Sequence, residues 1–167
     1  KMEEESQKIL GTLADGRIID ADFAVSAQCS RVPVIDGHTE TVSLSLKRKA
    51  SAEELQNVMA GFRGIPQELD LPSAPEHPII FMEDPDRPQP ARDVWLENGM
   101  STLVGRLRPC KVLDYRMVIM GHNTVRGAAG AAVLNAEAMY RLGLFENESA
   151  EEFDPARMKE VAAGLTS

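Results

Sequence analysis

A chain of 167 residues, 43% hydrophobic and 26% charged, has the size and balance of one globular domain that buries about two-thirds of its unfolded surface. Its formal net charge of −8 gives no general electrostatic pull toward nucleic acid, and no apolar run approaches the roughly 18 residues of a membrane helix. Two cysteines, Cys29 and Cys110, make neither a disulfide framework nor a zinc pair, so a reducing, cytoplasmic setting is expected.

Residues 1–13, KMEEESQKILGTL, place Met2, Ile9, Leu10 and Leu13 on the apolar side of an opening helix with an acidic outer face. The chain begins inside this pattern, without a Met or a signal peptide, which is expected of a fragment. ADGR at 14–17 is a stop signal, with Gly16 available for positive φ. Ile18-Ile19 and DFAVSAQC at 22–29 follow, and Phe23, Val25 and Ala27 alternate as in a strand. RVPVIDG is extended but broken by Pro33 and by the Asp36-Gly37 turn. TVSLSLKRK at 41–49 has the clearest strand alternation, and its Lys47-Arg48-Lys49 cluster reads as a solvated strand end.

Ser51 and Glu54 form a capping box that starts a helix over 51–64, with Leu55, Val58, Met59 and Phe62 as its buried stripe. A polar, Pro-rich stretch leads to a short strand at 79–83. DPDRPQPARD, with three prolines in ten residues, is an ordered loop or an extended arm suited to subunit contacts. Strands resume at 101–108 and 112–121, and a Gly/Ala-rich start opens a long helix over 125–145. Residues 146–167 read as an acidic tail or short helix. Hairpin-like strand pairs without βαβ rhythm predict an α+β fold, a mixed, largely antiparallel sheet with helices packed on one face. No G-x-G-x-x-G follows a strand, so a dinucleotide is not held here by a Rossmann fingerprint.

Two stretches could carry chemistry. In CSRVPVIDGHTE, Arg31 and His38 lie seven residues apart, which on a straight strand means about 23 Å and opposite faces. Pro33 and Asp36-Gly37 supply a bend that would let both face one pocket. Arg suits bidentate carboxylate binding, and His suits proton transfer near neutrality. On residue types alone, a surface Arg and a His padding a turn are the plainer alternative. In GHNTVRGAAG, the triplet His122-Asn123-Thr124 joins a strand to a helix start, where free N–H groups gather. Asn123 could present its amide to a planar ligand, and Thr124 could equally be a plain N-cap. Cys29 has no base beside it in sequence and reads as a small strand residue rather than a nucleophile; Cys110 is weaker still. No metal site is expected.

Taken in order, VSAQCSRVPVIDGHTE, LPSAP, DRPQP, VGRLR and GHNTVRGAAG resemble aspartate-semialdehyde dehydrogenases of the archaeal and fungal type. KMEEESQKIL resembles the helix that opens the C-terminal domain of that family. The resemblance covers about residues 1–142 and extends to the related malonyl-CoA reductases. It implies that residues 1–145 are the C-terminal catalytic and dimerisation domain, similar to that of glyceraldehyde-3-phosphate dehydrogenase. The NADP-binding domain with the nucleophilic cysteine is then outside this chain. His38 matches the general acid/base, Arg31 the arginine on the substrate carboxylate, and Lys1 a lysine that helps hold the phosphate or substrate anion. Asn123 matches a position near the nicotinamide amide. One departure is visible: the family often reads DRPQPR, and here Ala91 follows Pro90, with Arg92 one place later. The implied reaction is reductive dephosphorylation of aspartyl-β-phosphate in amino-acid biosynthesis, toward lysine, threonine and methionine, by a homodimer or dimer of dimers. The alternatives are malonyl-CoA reduction, or a non-catalytic oligomerisation module.

Overall fold

The computed structural model describes residues 2–145, and these divide into two units at the Pro33–Val34 junction. In the first, helix α1 (Met2–Ile9) starts with Glu3, Glu4 and Glu5 and ends with Lys8, the charge order that favours a helix dipole. It is shorter than the sequence pattern suggests. After Gly11 the chain turns into a hairpin, β1 (Thr12–Ala14) and β2 (Arg17–Ile19), with Ala14 opposite Arg17. Asp15 and Gly16, at φ 50° and 71°, form the two-residue turn that Asp-Gly favours because both central residues need positive φ.

The expected strand at 22–29 does not form. A strand persists only where a neighbour completes its ladder, and this segment's polar groups go instead to α1. Gln7 Nε2 donates to the Phe23 carbonyl at 2.7 Å, and the Ala27 N–H donates to Glu3 Oε1 at 2.7 Å.

The second unit is built on a four-stranded sheet. Strand β3 (His38–Leu44) is followed by helix α2 (Ala52–Ala60), a single turn α3 (Ile65–Glu68) and strand β4 (Ile79–Met82). After the short helix α4 (Pro90–Asp93) come strands β5 (Thr102–Pro109) and β6 (Tyr115–Gly121), and helix α5 (Gly130–Arg141). The order across the sheet is β3-β6-β5-β4, antiparallel except for the parallel β4–β5 pair. This is the α+β class with a mixed, largely antiparallel sheet.

The Ser51–Glu54 capping box is present with both hydrogen bonds, and the serine's N–H and hydroxyl hold the Glu54 carboxyl below its usual pKa. Helix α2 packs against β4 and β5, but only Leu55 and Met59 of its expected stripe are half-buried; Val58 and Phe62 are exposed, and Gly61 rather than Gly64 ends the helix. Strand β3 begins three residues earlier than the pattern predicts and stops at Leu44, although the alternation of half-buried and exposed residues runs on to Leu46.

Two buried clusters hold the unit together. Val94, Leu103 and Met120 pack with Ile80 and Met82, which seats the 84–96 segment on one sheet face. Leu71, Met100 and Leu134 pack with Leu69, Val125 and Ala138, which ties α5 to the residues before β4. A π-helical turn (Val125–Ala129) precedes α5, so the long helix expected over 125–145 is regular only from Gly130 to Arg141. Lys1 and the acidic stretch 146–167 lie outside the described residues.

Candidate functional site

His38 is the first residue of β3, an edge strand, and sits opposite Gly121 of β6. Its side chain is solvent-exposed on the face it shares with Glu40, Val42 and Leu44. An exposed imidazole on a laddered strand end is both accessible and held at its backbone, the combination a proton carrier needs.

The residue before it is fixed more tightly. Gly37 is buried and has φ +108°, a conformation that favours glycine. A Cβ there would lie 3.1 Å from Pro90 Cβ and 3.5 Å from Met120 Sδ. The N–H of Gly37 donates to Asn123 Oδ1 at 3.1 Å. Thus the Asp36-Gly37 bend is locked by a side chain from the end of β6 and by a proline from the 84–96 segment.

That segment is no extended arm. Asp93 is fully buried and accepts hydrogen bonds from Arg87 through Nε and Nη2 and from the Gln89 N–H, the last at 2.6 Å. The bidentate pair closes the loop over Pro88 and Pro90. The Arg87–Pro88 peptide is cis. The loop backbone rests directly on the sheet: a Cβ at Gly105 would come 2.5 Å from the Arg87 carbonyl oxygen. DRPQP and VGRLR are therefore two halves of one contact, and its product is the position of Pro90. Arg92, the displaced arginine of the sequence pattern, is exposed.

The triplet after β6 divides its tasks. The helix cap comes from His122, not from Thr124: His122 Nδ1 accepts from the N–H groups of Thr124 and Val125, each at 3.3 Å. Accepting at Nδ1 puts the imidazole proton on Nε2. His122 is buried, with Trp95 edge-on at 4.3 Å and Gly99 tight against its ring. Through Nδ1 it serves the start of the following helical turn. Asn123 is half-buried; because a backbone N–H must meet an acceptor, its amide oxygen faces Gly37 and its Nδ2 is left with two donors.

Arg31 lies in the first unit, exposed and outside regular structure, so it and His38 belong to different units. Lys1 lies outside the described residues. Cys29 is exposed and its Sγ is 3.4 Å from Met2 Sδ; no base adjoins it among its described contacts. Cys110 is half-buried, and the backbone N–H groups of Leu113 and Val112 hold its thiol below the usual thiol pKa. Among the described residues, Glu76, His77 and Glu97 bring three potential ligand atoms within 4.8 Å of one another. The Glu97 carboxylate is already engaged there by His77 Nδ1 and the Glu76 N–H. A cavity of about 420 Å³ lined by Pro72, Pro75, Asn98, Met100, Val125 and Val133 includes neither His38 nor Asn123. No helix among the described residues is long and apolar enough to cross a membrane.

Residues 1–126 match the family model described as semialdehyde dehydrogenase, dimerisation domain. The chain belongs to the semialdehyde dehydrogenase family. Among curated semialdehyde dehydrogenases, it is 48% identical over 139 residues to the aspartate-semialdehyde dehydrogenase of Methanothermobacter thermautotrophicus, covering 82% of this chain and 40% of that protein. The Archaeoglobus fulgidus aspartate-semialdehyde dehydrogenase is 50% identical over 141 residues, covering 84% and 40%. In structure, the chain is similar to an aspartate semialdehyde dehydrogenase crystallised with NADP from Candida albicans, with TM-score 0.77 and 38% identity over 84% of this chain and 41% of that one. This semialdehyde dehydrogenase chain thus spans about 40% of the length of the curated relatives it matches.

Sequence reasoning missed three parts of this site: the Arg87–Asp93 pair, the seat of Gly37 on Pro90, and the Asn123–Gly37 hydrogen bond. The first had a faint signal, since an Arg and an Asp bracketing a Pro-rich loop can close it. The other two join residues 53 and 86 positions apart and leave no local pattern.

Proposed function

We propose that residues 1–145 serve as the catalytic and dimerisation part of an NADP-dependent aspartate-semialdehyde dehydrogenase. The observation that carries this is the family match over residues 1–126, together with an exposed histidine at a locked strand end within it. The reaction converts aspartyl-β-phosphate, NADPH and a proton to aspartate semialdehyde, NADP and phosphate, by way of a thioester on a cysteine outside these 167 residues. NADPH, when bound, supplies the hydride. His38 takes the thiol's proton as the cysteine attacks and returns a proton as the tetrahedral adduct collapses. Arg31 holds the substrate carboxylate through its guanidinium fork and so aims the reacting carbonyl. Lys1 adds positive charge for the phosphate or substrate anion. A net charge of −8 makes such cationic groups necessary for two anionic moieties.

Asn123 fits the nicotinamide amide, because its Nδ2 retains two donors while its oxygen is occupied by Gly37. The remainder of NADP is bound by residues outside this chain, as the missing Gly-rich fingerprint implies. Residues 1–167 alone are therefore inactive and bind NADP more weakly than micromolar. The enzyme works as a dimer, in the cytoplasm, where Cys29 and Cys110 stay free thiols.

Side-by-side assays of the complete protein decide the substrate. Turnover with aspartate semialdehyde, phosphate and NADP, and none with malonyl-CoA and NADPH, is expected. The reverse pattern would move the chain to malonyl-CoA reduction, and no turnover in either would leave it an oligomerisation module.

A further inference from the structure

We infer that Asn123 is a positioning residue for His38, acting through the backbone of Gly37. The inference rests on the acid/base role proposed for His38. Strands β3 and β6 are laddered up to the pair His38–Gly121 and part just beyond it. At that point the Asn123 side chain takes over from the backbone: its Oδ1 receives the Gly37 N–H at 3.1 Å. Without it, a buried backbone donor would lose its partner, and such groups are costly to leave unmade. Pro90 fills the space beside Gly37, and Pro90 is itself held by the loop that Arg87 and Asp93 close. A glycine at φ +108° next to a catalytic side chain would otherwise be the most mobile point of the strand entry.

The other half of the amide sharpens the idea. Asn123 Nδ2 is not engaged by Gly37, so one side chain can serve the strand entry with its oxygen and a ligand with its nitrogen. A purely cofactor-binding Asn would leave His38 unaffected when replaced. A positioning Asn would not.

The test uses the complete enzyme with two substitutions. Asn123→Asp keeps an acceptor oxygen for the Gly37 N–H, and Asn123→Leu keeps the shape but removes the acceptor. Amide hydrogen exchange of the peptide spanning residues 35–41 is read without substrate. Turnover and KM are read separately. For Asn123→Leu, Gly37 exchange is expected to rise roughly tenfold and kcat to fall by roughly tenfold or more, while KM for aspartate semialdehyde stays within about threefold. For Asn123→Asp, which keeps an acceptor for the Gly37 N–H, Gly37 stays protected, whatever happens to turnover and to KM for NADP. Unchanged Gly37 exchange in Asn123→Leu, or lost protection with kcat intact, would overturn the inference. So would a raised KM for NADP as the sole effect of both substitutions. A wild-type enzyme with no semialdehyde turnover would refute the acid/base reading itself, and the exchange measurement, which needs no substrate, would still decide the clamp.

Discussion

Replacing Asp93 by Asn exchanges one oxygen of a fully buried carboxylate for an NH2 group and should be felt at His38. Asp93 is fully buried, and the Arg87 side chain is 18% exposed. The carboxylate accepts both prongs of the guanidinium and the Gln89 N–H. An amide keeps one oxygen, points an NH2 at a donor, and leaves the guanidinium without a counter-charge. Breaking a buried pair by removing one partner costs about 3–5 kcal/mol, and the surviving oxygen argues for the low end, about 3 kcal/mol. At roughly 2–4 °C per kcal/mol for a domain of this size, the melting temperature should fall by roughly 10 °C. Once the loop loosens, Pro90 no longer backs Gly37, so kcat at a temperature where the variant is folded should fall as well. Circular dichroism melts and steady-state turnover of the complete enzyme provide both numbers. A melting temperature within about 2 °C of wild type would refute the claim that this pair closes the loop. A lowered melting temperature with undiminished kcat would refute the link from the loop to His38.

Gly37→Ala meets strain at φ +108° and a contact at 3.1 Å with Pro90 Cβ, together costing about 2–5 kcal/mol; chemical denaturation that finds less than about 1 kcal/mol would contradict the packing described. Arg31→Lys keeps the charge but loses the bidentate fork, so KM for aspartate semialdehyde should rise about tenfold with a smaller change in kcat; steady-state kinetics with KM unchanged would remove Arg31 from substrate binding. Because two backbone N–H groups lower its pKa, Cys110 should reach half-maximal alkylation by iodoacetamide at a pH below the roughly 8.5 of a free thiol. A midpoint at or above that value, read by mass spectrometry across pH, would contradict the hydrogen bonding at Cys110.

What could be read in advance depended on the range of the interaction that set it. The α2 start was legible because Ser51 and Glu54 solve the capping problem within one turn. Strands β4, β5 and β6 were legible from apolar runs between turn residues. At 12–19 the Asp15-Gly16 turn was legible as a stop, but the helical spacing of Leu10 and Leu13 hid the short strand before it. The stretch 22–29 alternates like a strand, yet its fate was decided by Glu3 and Gln7 of α1. Val58 and Phe62 fit a buried stripe, and no element covers them among the described residues.

The site divides in the same way. His38 could be singled out by residue type, and the role proposed for it came from the ordered motifs. Its support could not be foreseen, because Pro90 and Asn123 reach Gly37 from distant parts of the chain. The His122 cap was hidden by Thr124, a better capping residue on statistics, which lies two positions later and makes no side-chain cap bond.

The most direct test of the account is turnover of His38→Ala in the complete enzyme with aspartate semialdehyde, phosphate and NADP. His38 is exposed, so its loss should leave the melting temperature within about 2 °C of wild type, as surface substitutions usually do. Loss of a positioned general acid/base should lower kcat by about 10²–10⁴-fold. Turnover within a few-fold of wild type, in a variant that is folded, would contradict the account.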